Sequence, residues 1–231
     1  MSGRSSSSAA FGGAAIDRHL RLPDAALSLT RRQVGVALLW AIGLEMTYGA
    51  IMGMSGGLAA DRARQVLYSA IKVPLLVGCT LAICLPSFCV LNTVAGLRDD
   101  LRAVLRALFL SQIVFGIVLA SLAPYTAWWS VAGGGHASAV VFNGVMFAVA
   151  SAAMHIVLRR LYRPLVARRP RHRVLRLTWT ALYVFVGIQL AWTLRPFVGS
   201  PGLPTEFFRE DGWSNAYVAI GRLVGRLVLG E

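Results

Sequence analysis

Four polar side chains lie inside long apolar runs of this sequence, where their chemistry could serve a binding site. They are Glu45, Lys72, Asn143 and Gln189, and each belongs to a different run. Helix rise places them about 6 to 14 Å below one surface of a bilayer, if each run crosses it as a helix. An isolated carboxylate at that depth costs several kcal/mol, so Glu45 must be protonated or must face a partner or water.

These four residues predict a polar pocket in the outer half of a membrane. We expect Glu45 and Lys72 to converge with Gln189, with Asn143 in the same layer and Arg195 at the rim. In the alternative interpretation, the same groups only bond neighbouring helices, at about 0.6 kcal/mol each. The sequence leaves both interpretations open.

A serine near the end of the first run raises the possibility of hydrolysis. The string GMSG at residues 53–56 matches the G-x-S-G string of intramembrane rhomboid proteases, with His136 and His155 as candidate bases. The predicted spans separate Ser55 from His155 by about 25 Å along the membrane normal. His136 shares the side of Ser55, but it follows three glycines and has no orienting carboxylate in view. A Gly-rich turn that ends a helix is therefore favoured.

The three cysteines are predicted to be small core residues. Cys79, Cys84 and Cys89 lie in one apolar run, and a spacing of five on a helix separates neighbours by about 7.5 Å of rise, which is too far for a disulfide. No histidine shares their spacing, so we expect neither a metal site nor a cofactor.

Composition identifies an integral membrane protein. Apolar residues make up 56% of the 231 positions and charged residues only 14%, with a mean hydropathy of +0.63. A soluble domain carries about 25% charged residues, so lipid rather than water must surround most of this chain. The net charge of +13 comes from arginines placed between apolar runs, which argues against a nucleic-acid partner and for a role in membrane orientation.

Five apolar runs predict an all-α bundle of five transmembrane helices. Each has about the 20 residues that cross a hydrocarbon core. The predicted spans are residues 34–54, 68–94, 103–128, 137–158 and 177–197. The predicted domains are a disordered, basic cytoplasmic tail at 1–32, the five-span domain at 33–197, and an extracytoplasmic Pro/Gly turn with an amphipathic interfacial helix at 198–231.

The distribution of positive charge predicts the orientation. Sixteen lysines and arginines lie in the N-terminal tail, the second connector and the fourth connector, against seven on the opposite side. The positive-inside rule then places the N-terminus in the cytoplasm and the C-terminus outside. Trp128, Trp129 and Trp192 fall at the outer interface in this arrangement, as an aromatic belt requires.

The fourth connector is the strongest charge feature. Its sequence RRLYRPLVARRPRHRVLR, residues 159–176, has no acidic residue. Anionic lipid headgroups attract such a segment by about 1 kcal/mol per basic residue, and docking of an acidic cytoplasmic partner is the alternative. We expect His172 to belong to the same solvated strip. The predicted headgroup contacts are Arg159, Arg160, Arg163, Arg168, Arg169, Arg171, Arg173 and Arg176.

Several strings resemble an uncharacterised family of bacterial five-span integral membrane proteins. They are YSAIKVPLL, CLPSFCVLN, ASLAP, YRPLVARRPRH and WTLRPFVGSPGLPTEFFR, and the resemblance runs from about Glu45 to Tyr217. The layout is also similar to that of Yip1-type proteins, at the level of hydropathy alone, and no motif transfers their role in vesicle traffic. The resemblance implies architecture and supplies no catalytic residue.

These observations predict a membrane protein without enzymatic activity. We expect a scaffold or assembly subunit of a membrane complex, with a membrane-protein partner or a second copy of the chain as companion. The alternative is a transporter or ligand-binding protein that uses the polar layer around Glu45, Lys72 and Gln189. The five spans show no inverted repeat, which weighs against transport.

Overall fold

The computed structural model describes residues 30–54, 63–132, 135–199 and 205–208. Several predicted features lie outside these residues. They are the basic tail up to residue 29, Ser55, part of the Pro/Gly turn at 200–204, and the C-terminal amphipathic helix.

The described residues are helical, which confirms the predicted all-α class, and they contain no strand. A capping box between Thr30 and Gln33 begins the first helix, so the helix starts inside the segment predicted as tail. The helices are α1 (Arg31–Gly53), α2 (Ala63–Val94), α3 (Leu101–Ser121), α4 (Ala123–Val131), α5 (His136–Leu161), α6 (Arg163–Arg168) and α7 (Arg171–Thr193), and a 3-10 turn at Arg98–Asp100 precedes α3.

Five helical segments are long and apolar enough to cross a membrane, and the protein is therefore described as multi-pass. The third segment consists of α3 and α4, which meet at Leu122. Pro124 cannot donate a backbone hydrogen bond and so favours a fresh helix start there. The fifth span was predicted at 177–197, but α7 runs from Arg171 to Thr193. Its first turns are polar, and hydropathy alone does not detect them.

The helices pack around α1. This helix contacts α2, α3 and α4, while α5 packs on the outer side of α3 and α7 packs on α2. The packing of α5 against α3 makes a hairpin of the third and fourth spans. The interior thus collects side chains from α1, α2, α3, α5 and α7.

Two glycines set the crossing of α1 and α2. A Cβ atom on Gly49 would lie 2.3 Å from the backbone oxygen of Ser69, and one on Gly53 would lie 2.8 Å from the Cα of Val66. Only hydrogen fits at these positions, so the two backbones approach closely. The G-x-x-x-G spacing of residues 49 and 53 is typical of helix pairs in membranes.

The two basic connectors lie at one end of the bundle. Arg169 Nη1 donates to the backbone oxygen of Gly96 at 3.2 Å, and the guanidinium of Arg169 lies 3.7 Å from Asp99 and 3.8 Å from Asp100. We call residues 95–102 and 159–176 together the Arg-rich end. The opposite end carries the start of α2 and the segment after α7, where the polar contacts described next are found.

Candidate functional site

Three side chains of α2 bind the segment that follows α7. We call residues 194–199 the elbow. Lys72 Nζ donates to the backbone oxygen of Pro196 at 2.8 Å, Gln65 Nε2 donates to that of Phe197 at 3.1 Å, and the Ser69 hydroxyl donates to the Phe197 oxygen as well. Positions 65, 69 and 72 share one helix face. This face of α2 therefore binds backbone carbonyls that lie beyond the end of α7.

Aromatic rings cover the elbow contact. The Phe207 ring lies 4.9 Å from Lys72 Nζ and packs edge-on against the Tyr68 ring at 5.2 Å. The guanidinium of Arg195 lies 3.6 Å above the ring of Trp192. Lys72 is fully buried, so cation–π contact and the Pro196 carbonyl both compensate for its lost hydration.

A second network joins α1, α4 and α5. The Tyr48 hydroxyl donates to Asn143 Oδ1 at 2.8 Å and accepts from Thr126 Oγ1 at 3.1 Å. Asn143 Nδ2 donates to the backbone oxygen of Ala139 at 2.8 Å. Asn143 therefore bonds the helices together, as the alternative interpretation of the polar residues expects.

The structure does not bring Glu45 and Lys72 into an ion pair. Arg169 forms ion pairs with Asp99 and Asp100, and His172 also contacts Asp100, but no ion pair joins Glu45 to another described residue. Lys72 shares the face of α2 that turns toward the elbow, where it bonds the Pro196 carbonyl. Gln189 is half-buried on α7 one turn before the elbow begins. A ligand pocket around these residues stays a prediction.

Glu45 belongs instead to a layer of polar groups in the middle of the bundle. Only 3% of its surface is exposed, and it lies close enough to Tyr183 to act on it electrostatically. The Tyr183 hydroxyl donates to Gln112 Oε1 at 2.9 Å, and the rings of Tyr183 and His155 lie 6.1 Å apart. We call Glu45, Gln112, His155 and Tyr183 the central polar layer.

This layer contains polar atoms without hydrogen bonds. His155 Nδ1 lies 2.7 Å from the backbone oxygen of Ser151, which can only accept, so Nδ1 carries the proton and donates. His155 Nε2 and Gln112 Nε2 are buried and have no partner in the described part of the chain. No hydrogen bond or ion pair within that part reaches the Glu45 carboxyl either.

At the Arg-rich end, the prediction for His172 is wrong. His172 is fully buried, and its Nε2 lies 3.0 Å from Asp100 Oδ2, because helix α7 begins before it and turns it inward. The predicted headgroup residues are otherwise placed at the surface, except Arg176, which is half-buried. The exposed ones are Arg159, Arg160, Arg163, Arg168, Arg169, Arg171 and Arg173.

Sequence reasoning missed six residues of these networks, which are Gln65, Ser69, Gln112, Tyr183, Tyr48 and Thr126. Gln65 and Ser69 were detectable from their spacing of seven and three relative to Lys72. Gln112 lies within the third apolar run and would have been found by the same depth estimate as Asn143. Tyr183 gave no comparable signal, because tyrosine is common in apolar spans.

The described residues hold no group of three or more metal-ligating side chains. All three cysteines have free thiols, with Cys84 buried and Cys79 and Cys89 half-buried. The three cysteines therefore act as packing residues of α2.

No family model, curated protein or solved structure matches this chain. The resemblance to five-span bacterial membrane proteins, and the hydropathy likeness to Yip1-type proteins, therefore stay predictions.

Proposed function

We propose that this protein is a non-enzymatic scaffold or assembly subunit of a membrane complex in the bacterial inner membrane. One observation supports this most directly. The buried polar side chains near the elbow, Gln65, Ser69 and Lys72, are bonded to the protein's own backbone. Side chains engaged in this way fix the geometry of the bundle and are not available to a substrate.

Purification with a companion tests the proposal. The tagged full-length chain, extracted in mild detergent, should retain one partner protein in stoichiometric amount or should elute as an oligomer of itself. The retained partner protein should be lost in Lys72→Met, which loosens the elbow. It should stay bound in Arg64→Met, which removes an exposed charge from the same helix. A lone monomer in every mild detergent would contradict the proposal.

Anionic headgroups are the lipid partner that the charge distribution favours. Seven of the arginines of residues 159–176 are exposed at one end of the bundle, where each adds about 1 kcal/mol of attraction to an anionic surface. Replacing Arg159, Arg160 and Arg163 together by glutamine should reduce co-purified anionic lipid. Replacing Arg169 alone is a poor test, because it also bonds the turn at Gly96.

The proposed orientation has the N-terminus in the cytoplasm and the C-terminus outside. The Arg-rich end faces the cytoplasm under the positive-inside rule. Cysteines placed at Arg168 and at Glu206, in a background without the native cysteines, should react with an impermeant thiol reagent from opposite sides. Equal labelling of both in intact cells would overturn this orientation.

A transporter or ligand-binding protein is the second candidate function, and Glu45 is the observation that favours it. This carboxyl is buried in the middle of the bundle and has no bonded partner among the described residues. Intramembrane carboxyls of this kind are typical of ion and substrate pathways. Uptake into proteoliposomes that disappears in Glu45→Gln, but survives in Glu206→Gln, would support this candidate over the scaffold.

A further inference from the structure

The central polar layer has the composition of a cation site. It combines one carboxyl, Glu45, with the side-chain oxygens of Gln112 and Tyr183, contributed by α1, α3 and α7. Each of the three residues is at most 8% exposed. Helix rise places Glu45 about 21 Å and Gln112 about 17 Å from the Arg-rich ends of their helices, so they share one depth.

The burial of Glu45 requires a compensating positive charge. A carboxylate transferred from water to an apolar interior without a partner is strongly unfavourable, and such groups in membranes bind a proton or a counter-ion. Lys72 does not supply that charge, because it is bonded to the elbow. The charge must therefore be a proton on the carboxyl or a small cation beside it.

Tyr183, which lies close enough to Glu45 to feel its charge, and its partner Gln112 carry oxygen atoms that suit either occupant. The Tyr183 hydroxyl gives its hydrogen to Gln112 Oε1, which leaves oxygen lone pairs on both groups. Hard cations prefer carboxylate, amide and hydroxyl oxygens as ligands. The same oxygens would accept a hydrogen bond from a protonated Glu45 carboxyl.

The surrounding charges set the conditions under which such a site exchanges its occupant. Helix α4 carries no charged residue. Cys84 of α2 lies close enough to Tyr183 to act on it electrostatically, Arg176 of α7 acts in the same way on His155 of α5, and the His155 ring lies beside that of Tyr183. His155 Nε2, buried and without a partner among the described residues, is the basic atom next to Tyr183 on the side of the Arg-rich end.

We propose that Glu45, Gln112 and Tyr183 form a site for a single positive charge in the centre of the bundle, occupied by a proton or by a small alkali cation. Exchange releases one proton from the Glu45 carboxyl to water for each alkali cation bound, so charge is conserved. The inference deepens the second candidate function and rests on the same carboxyl. Occupancy can be measured without any transport assay.

Carbodiimide labelling of the purified full-length protein tests this site. Dicyclohexylcarbodiimide is apolar and reacts with protonated carboxyls in apolar surroundings, and peptide mass mapping locates the product. Glu45 should be labelled, with a rate that falls about tenfold per pH unit above its midpoint, as expected for a single proton. Slowing by Na⁺ or K⁺ at constant pH identifies an alkali cation as occupant, whereas dependence on pH alone identifies the proton.

Matched variants make the result specific. Glu45→Gln should remove the labelled peptide, and Glu206→Gln, at an exposed carboxyl, should not change it. Tyr183→Phe and Gln112→Leu should shift the pH midpoint or the cation protection, while Tyr125→Phe, at a tyrosine that is 61% exposed, should leave both unchanged. Unshifted midpoints in the first two variants would remove Tyr183 and Gln112 from the site.

Infrared difference spectroscopy covers the case in which the reagent does not reach the site. Lowering the pH, or withdrawing Na⁺ or K⁺, should increase the carbonyl band of a protonated carboxyl, and Glu45→Gln should abolish that change. Absence of both the labelled peptide and the infrared change would overturn the inference. Labelling of Glu45 in a protein without transport would support the site and contradict the transporter.

Discussion

The elbow contact and the central polar layer differ in the hydrogen bonding of their buried charged residues. At the elbow, Lys72 is fully buried and meets a carbonyl at 2.8 Å and an aromatic ring at 4.9 Å. In the central layer, Glu45 is as deeply buried but bonds no described residue. Burial is therefore the same in the two regions, and hydrogen bonding separates them.

This difference distinguishes polar groups that stabilise the fold from a polar group that could bind a proton or a cation. A buried hydrogen bond adds only about 1 kcal/mol net, but a buried polar atom left without its partner costs about 1 to 3 kcal/mol. Removing Lys72 should therefore destabilise the protein, because the Pro196 carbonyl loses its charged donor. Neutralising Glu45 should not destabilise the protein, because no described residue loses a hydrogen bond.

The substitution Gly49→Leu should produce the largest effect, because both regions depend on the crossing of α1 and α2. Its side chain would start 2.3 Å from the Ser69 backbone oxygen, so the helices must separate. We expect a loss of about 3 kcal/mol or more in the free energy of unfolding, measured as a lower thermal midpoint in detergent. Gly43→Leu, at an exposed position with nothing within 4 Å, is the control, and equal losses in both would contradict the close crossing.

Exchanging the two charges, with Glu45→Lys and Lys72→Glu in one chain, should not restore the protein. A glutamate at position 72 would direct carboxylate oxygens at the Pro196 carbonyl, so acceptor would face acceptor. A double-mutant cycle on the thermal midpoint should give a coupling energy below about 0.5 kcal/mol, as for separate sites. Rescue in the double variant would show that Glu45 and Lys72 do pair.

Lys72→Met should cost about 1 to 3 kcal/mol, because the Pro196 carbonyl loses its charged donor. The elbow should also become more accessible to proteases, which mass mapping of early cleavage products would detect. Arg64→Met changes an exposed residue of the same helix and should alter neither quantity. A Lys72→Met protein as stable as this control would remove Lys72 from the elbow.

Glu45→Gln should have the smallest effect, within about 0.5 kcal/mol of the parent or slightly stabilising. The change preserves shape and removes the need to neutralise a carboxylate. Thermal midpoints at several pH values would check this. A loss greater than that of Lys72→Met would reverse the contrast between the two regions.

The sequence predicts the helical class and the number of spans because both follow from hydropathy and length. It does less well at helix ends. Helix α7 begins at Arg171, since arginines are good helix formers that an apolar window excludes. His172 was therefore assigned to a solvated strip, although the helix turns it into the interior against Asp100.

The position of each polar group along its helix was predictable, but its direction around the helix was not. Counting residues along each apolar run gives a position along a helix, and the structure confirms the helices that carry these groups. The neighbour that each group faces depends on the helix crossing at Gly49 and on the packing of the elbow against α2, and both are tertiary contacts. Asn143 thus meets Tyr48, and Lys72 meets Pro196, pairings that no spacing in the sequence indicates.

The length of α2 links this protein to the thickness of its membrane. Its 32 residues span about 48 Å, against about 30 Å for a hydrocarbon core. The helix must therefore tilt, or its end turns must protrude from the hydrocarbon core. The turns at its N-terminal end carry Gln65 and Ser69, which bind the elbow. A thicker bilayer would draw these turns into hydrocarbon, so lipid chain length should tune how firmly the elbow is anchored.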